Sequence, residues 1–106
     1  MGVLGMESDA KTVCRTPTKG REGVTRIPTW KYLAVRAAVL DAVAEAGEEG
    51  LPFTELADAV RARLSADDLA ALGSVKWHMT SVKLNMEVEG ELKRKAVKGP
   101  QRLVLA

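Results

Sequence analysis

At 106 residues and 11.4 kDa, the chain has room for one domain with one core and none for a second domain of ordinary size. Its 46% hydrophobic and 28% charged residues are the composition of a globular protein, which excludes a disordered chain, and no stretch approaches the roughly 20 apolar residues of a membrane span. The formal net charge of +2 hides an uneven distribution: residues 1–36 carry seven basic and three acidic side chains, residues 37–75 two and eight, and residues 76–106 seven and three.

A basic arm and a basic C-terminal third around an acidic middle can present one positive surface to a polyanion, although mixed charges on a solvated surface account for the same tally. The opening stretch, MGVLGMESDAKTVCRTPTKG, has an apolar run of only a few residues and meets acids at once, so it lacks the apolar region of a secretory signal. It reads as an untethered tail, with Met6 a second candidate start. Cys14 is the only cysteine, which excludes an internal disulfide and suits a reducing cytoplasm. Four of the nine glycines fall in residues 1–24, in short runs around Pro17. Helix is disfavoured there, and residues 1–26 are expected to form a flexible or extended arm.

From Thr29 the pattern changes. Tyr32, Val35, Val39, Val43 and Ala46 recur at spacings of three and four, with Leu33 and Leu40 widening the face, which predicts a helix over 29–46. Thr29 is the expected cap, with Pro28 just outside and Gly47 as the stop. Leu56, Val60 and Leu64 stand four apart, with Phe53 before them and Thr54 as the expected cap, giving a second helix over 54–64. Ser65 precedes Asp68 by three in a capping-box-like pair, and a short third helix is expected over 66–72, with Leu69 and Leu72 apolar and Gly73 ending it.

The stretch GSVKWHMTSVKLNMEVEGELKR opens with a helix start signal and predicts a fourth helix over 74–89. At about 100° per residue, Val75, Met79, Val82 and Met86 form one apolar stripe, and Trp77, Leu84 and Val88 form another nearly opposite. Two narrow polar strips remain, Lys76, Thr80, Lys83 and Glu87 on one flank and His78, Ser81, Asn85 and Glu89 on the other. A helix that reads DNA normally buries one face and offers a polar, basic one to the groove; this helix offers less. Strict alternation through Val75, Trp77 and Met79, then Val82, Leu84, Met86 and Val88, also fits strands, but no turn residue separates the two runs. After Gly90, ELKRKAVKGPQRLVLA predicts a basic hairpin over 91–96 and 101–105, with Leu92, Leu103 and Leu105 toward the core and Lys93, Lys95 and Arg102 outward. No internal repeat or low-complexity segment interrupts this order.

Helices followed by a basic hairpin resemble the winged-helix superfamily over residues 27–106. The segments TRIPTWKY, GLPFTELADAVRARL, LGSVKWHMTSVKLNMEVEGELKR and PQR are similar to those of a small bacterial family of unknown function. The resemblance implies an α+β, mainly α fold, a winged helix of three to four helices and a hairpin wing behind an extended N-terminal arm. It brings no substrate, cofactor or partner. The segment from Ser65 to Gly73 departs from a helix-turn-helix, whose two helices are joined by about three or four residues.

An enzyme is not expected. Cys14 and His78 are single residues, and Cys14 lies in the arm with nothing to lower its thiol pKa. Zinc would need three or four clustered ligands, which the sequence lacks. TKGREG has glycines and cations but neither the lysine placement nor the following helix of a phosphate loop. Glu87, Glu89 and Glu91 read as solvated charges, with Glu87 a candidate ion-pair partner of Lys83 one turn back. No cofactor and no small-molecule substrate are expected.

The expected function is nucleic-acid binding, with double-stranded DNA as the candidate partner of a transcription-regulatory module. Lys76, Thr80 and Lys83 would face the groove, Lys93, Lys95, Lys98 and Arg102 would meet phosphate from the wing, and Arg15, Lys19, Arg21 and Arg26 would add the arm. The alternative is a protein-interaction module that forms a homodimer through Trp77, Leu84 and Val88, since tryptophan is enriched at interface hot spots. Against it, Trp77 could complete the core, packed on the arm or beside Trp30.

Overall fold

The computed structural model describes residues 10–15, 24–95, 99 and 101–106. It is an α+β fold, mainly helical. Two antiparallel strands, β1 (Lys11–Arg15) and β2 (Val24–Pro28), form a ribbon in which Val13 faces Arg26 and Cys14 faces Thr25. Helix α1 (Thr29–Ala46) follows without a break, then a 3₁₀ turn at Gly47–Glu49 and the two-residue strand β3 (Leu51–Pro52). Helices α2 (Phe53–Arg63), α3 (Ala66–Leu72) and α4 (Val75–Val88) come next, and the hairpin strands β4 (Leu92–Lys95) and β5 (Arg102–Leu105) close the chain. The sheet order is β3-β5-β4, antiparallel throughout, with Leu51 opposite Leu103 and Leu92 opposite Leu105.

The helix starts fall into two kinds. Ser65 and Ser74 cap α3 and α4 through their hydroxyls, which accept from the Asp68 and Trp77 N–H groups at 3.1 Å each. Thr29 and Thr54 do not cap: Pro28 and Pro52 occupy the cap positions of α1 and α2, and a proline side chain accepts no hydrogen bond. These two helices continue directly from strands, so the neighbouring chain satisfies their first N–H groups. Thr29 N–H donates to the Ala10 carbonyl at 2.9 Å and Phe53 N–H to the Gln101 carbonyl at 2.8 Å. The Thr29 hydroxyl instead accepts from Thr12 at 3.0 Å.

A glycine is required at position 50. Its φ is +84°, and a Cβ there would stand 3.1 Å from the Arg102 Cβ and 3.2 Å from the Leu103 carbonyl oxygen. The close approach lets β3 reach β5, a pairing that two residues of sequence do not signal.

The core joins Tyr32, Val35, Val39 and Val43 of α1 with Leu56 and Val60 of α2, Leu72 of α3, and Val75, Met79, Val82 and Met86 of α4. Leu92 and Leu103 cover it from the hairpin, and Cys14 and Ile27 from the ribbon, so the ribbon packs as part of the domain. Two expected core residues lie elsewhere. Leu33, about 100° around the helix from Tyr32, is 55% exposed because it falls outside the arc of α1 that its neighbours cover. Leu105, near the end of β5, is exposed and lines an open cleft.

Burial separates the leucines energetically. Leu56→Ala, at a fully buried site, should cost about 2–5 kcal/mol in urea unfolding, whereas Leu33→Ala should stay within about 0.5 kcal/mol of the parent.

Candidate functional site

Helix α4 packs against α1, α2, α3, β1 and β4. Its Val75, Met79, Val82 and Met86 stripe is buried as the spacing predicts. Its polar strips are drawn inward as well. Lys83, expected to face a groove, is 3% exposed, because the hairpin and the start of α2 close over it. Its ammonium lies 2.5 Å from Glu87 Oε2, donates to Gln101 Oε1 at 2.8 Å, and sits 4.9 Å from the centre of the Phe53 ring. The charge of Lys83 is therefore neutralised inside the domain and unavailable to phosphate.

Glu87 pairs with Lys83 as their one-turn spacing suggests, and Glu91, expected to be solvated, is paired as well. Glu87 Oε1 accepts from Arg94 Nε at 2.9 Å, which fastens β4 to the helix. Glu91 takes Arg36 Nε at 3.1 and 3.0 Å on its two oxygens, joining α1 to the segment after α4. Glu89 remains exposed.

On the opposite flank Asn85 is buried, with both ends of its amide in use. Its Oδ1 accepts from the Arg15 backbone N–H at 2.9 Å, and its Nδ2 donates to the Tyr32 hydroxyl at 2.9 Å. This residue clips the ribbon and α1 to α4. Nothing in the spacing distinguishes it from a solvated residue; its place on the edge of the apolar stripe is the only signal.

With Lys83, Asn85 and Glu87 turned inward, α4 presents its second stripe outward. Trp77 is 49% exposed and Val88 41% exposed, with Leu84 half-buried between them. The Trp77 ring makes an edge contact with His78 at 4.8 Å, and the Trp30 ring lies under Lys31. Lys76 is exposed beside this stripe and Thr80 is half-buried.

The hairpin cations divide. Lys93 is exposed. Lys95 donates to the Glu48 carbonyl at 2.6 Å and Arg102 to the Gly50 carbonyl at 3.1 Å, so both bind the turn after α1, because their strand face is turned toward that end of the helix. Lys98 lies outside the described residues, as do Lys19 and Arg21. On the ribbon, Cys14 points to the core, and strand alternation places Lys11, Val13 and Arg15 on the other face together with Arg26, the register partner of Val13. Lys11, Arg15 and Arg26 are all exposed. Sequence reasoning missed Lys11, which becomes visible only once β1 and β2 are paired.

Two clefts of about 390 Å³ each flank the helices. One is lined by Val43, Glu48, Lys93, Lys95, Val104 and Leu105, the other by Phe53, Asp58, Arg61, Lys76 and Met79. Among the described residues no group of three or more His, Cys, Asp or Glu side chains could hold a metal, and no helix is long and apolar enough to cross a membrane. Burial pushes the Cys14 thiol pKa up, the reverse of what a nucleophilic thiolate needs.

The geometry defines a small α+β domain built around a central helix, with a ribbon on one side and a hairpin on the other. The chain belongs to a family of unknown function (DUF6958), whose model matches residues 11–103. That match begins at the first residue of β1 and runs into β5, so the ribbon is part of what the family model spans. No curated protein and no solved structure matches the chain.

Two measurements check this description. Lys83→Ala should destabilise the domain by about 3–5 kcal/mol, because it removes one partner of a buried pair, while Lys76→Ala should be nearly neutral; denaturant unfolding compares them. Cys14 should react with a thiol reagent at pH 8 far more slowly in the folded protein than in urea. Its raised pKa keeps it protonated and its burial denies access, so equal rates would contradict the packing of the ribbon.

Proposed function

We propose that the domain is a winged helix that binds nucleic acid, with its principal phosphate contacts on the β1–β2 ribbon. The fold reading is supported by the order of elements: a hairpin follows α4 directly, and β3, between the first two helices, completes its sheet. The observation that carries the function is the outward ribbon face, where Lys11, Arg15 and Arg26 are exposed together and, among the described residues, none forms an ion pair with an acid. A two-stranded ribbon fits the major groove of B-DNA, and cations on one face can neutralise phosphates without reading sequence. Lys76 and Lys93 add exposed charge from α4 and the hairpin. The recognition role expected of α4 is reduced in this reading, since Lys83 is withdrawn and the outward stripe is apolar. The lone buried cysteine suits a cytoplasmic protein.

Titration of a mixed-sequence duplex at low and at higher salt tests the proposal. Binding at micromolar protein should weaken steeply as salt rises. Arg15→Ala and Arg26→Ala should each lower affinity for all sequences alike and reduce the salt slope by about 1, with the exposed Leu33→Ala leaving the slope unchanged. No binding at micromolar protein in low salt overturns the proposal.

A further inference from the structure

The outward stripe of α4 has the form of a helix-pairing seam. Trp77, Ser81, Leu84 and Val88 are spaced four, three and four apart, which is the d, a, d, a sequence of two heptads. The b, c and f positions of the same heptads, Val82, Lys83, Met79 and Met86, are buried in the domain's own core. The seam itself carries no charged side chain. It is bordered by β1 on the Asn85 side and by β4 on the Glu87 side, and among the described residues no element covers this face of α4. Exposed apolar side chains in such a row mark an interaction surface more often than scattered ones do.

We infer that this seam pairs with the same seam of a second copy, antiparallel across a two-fold axis. Three features favour that occupant. First, in an antiparallel pair each a residue meets a d residue of the other helix. Here Trp77 meets Val88 and Ser81 meets Leu84, so every layer sets a large side chain against a smaller one. A parallel pair would stack tryptophan on tryptophan and leave serine against serine. Second, the seam brings no like charges together: Trp77, Ser81, Leu84 and Val88 are all uncharged, and the flanking Asn85 and Glu87 are held within their own domain by the ribbon backbone, Tyr32 and Arg94. Third, a two-fold axis presents one patch to itself, the commonest symmetry of soluble oligomers. Two heptads bury less than the roughly 800 Å² per partner of a standard interface, so the pair forms weakly and reversibly. The pairing rests on the proposed function in nothing but the fold: it uses the apolar seam and not the ribbon cations.

Sedimentation equilibrium from micromolar to millimolar protein reads the association. The apparent mass should rise from that of one chain toward that of two, and Leu84→Glu should hold it at one while the circular dichroism and unfolding midpoint stay near the parent's. Trp77→Glu, at the more exposed end of the seam, replaces it should Leu84→Glu lose the fold. Orientation is read by mixing Trp77→Cys chains with Val88→Cys chains under oxidised glutathione: the antiparallel pair gives cross-linked heterodimers, and Trp77→Cys alone, its two copies about 16 Å apart along the axis, gives none. A wild-type mass of one chain at millimolar concentration overturns the inference, as does an association that neither glutamate variant weakens. Efficient cross-linking of Trp77→Cys to itself overturns the antiparallel geometry. None of these outcomes bears on the duplex titration, which stands or falls on the ribbon cations.

Discussion

The buried ammonium of Lys83 constrains the position of everything C-terminal to α4. A charge withdrawn from water is tolerated only when it is paired and its hydrogen bonds are met. Gln101 of the hairpin accepts its hydrogen bond, Glu87 of α4 supplies the opposite charge, and the Phe53 ring of α2 faces it. Gln101 serves twice, because its backbone carbonyl also takes the first N–H of α2. Arg94 adds a second tie from β4 to Glu87. The hairpin is thereby held in one place against the helices, and Gly50 completes the attachment by letting β3 approach β5.

Asn85 does the corresponding work on the other flank without a charge. Both ends of its amide are satisfied, one by the ribbon backbone and one by Tyr32, and a buried amide left unpaired would cost on the order of 1–3 kcal/mol. The hydrogen bond to Arg15 lies in the main chain, so it holds β1 while leaving the arginine side chain exposed. Cys14 and Ile27 then pack inward and the cations of the same ribbon face outward. Hydrogen bonding at one asparagine thus converts a glycine-flanked arm into a fixed basic surface.

These two anchors decide what kind of surface remains. Once the polar residues flanking the core stripe of α4 are used within the domain, its outward face is left with tryptophan, leucine and valine. The acidic middle of the chain is partly neutralised too: Arg63 of α2 bonds Asp41 Nε-to-Oδ2 at 2.7 Å and Glu45 at 2.5 Å, both on α1. Exposed pairs of this sort add little stability, but they reduce the free negative charge there. Positive charge is concentrated at the ribbon, at Lys76 and at Lys93. An apolar seam and a basic ribbon on one small domain are consistent with two separate contacts.

Periodicity and caps in the sequence by themselves determined the four helices and the hairpin, to within a residue or so at each end. The i, i+3, i+4 repeats of Tyr32, Val35 and Val39 and of Val75, Met79 and Val82 leave few other ways to bury those side chains, and Ser65 announces its helix through a local bond three residues away. The family relationship was legible in the same segments. Tertiary structure alone decided which lysines are available, since Lys76 and Lys83 share one helical strip and differ only in whether the hairpin closes over them. It also decided that Thr29 and Thr54 would not cap, because partners distant in sequence already held the first N–H groups. It paired Val13 with Arg26 and so gathered Lys11, Arg15 and Arg26 on one face. Local spacing reports which side of an element is apolar; it carries no information about what the rest of the chain lays against the polar side, and here that contact set both candidate surfaces.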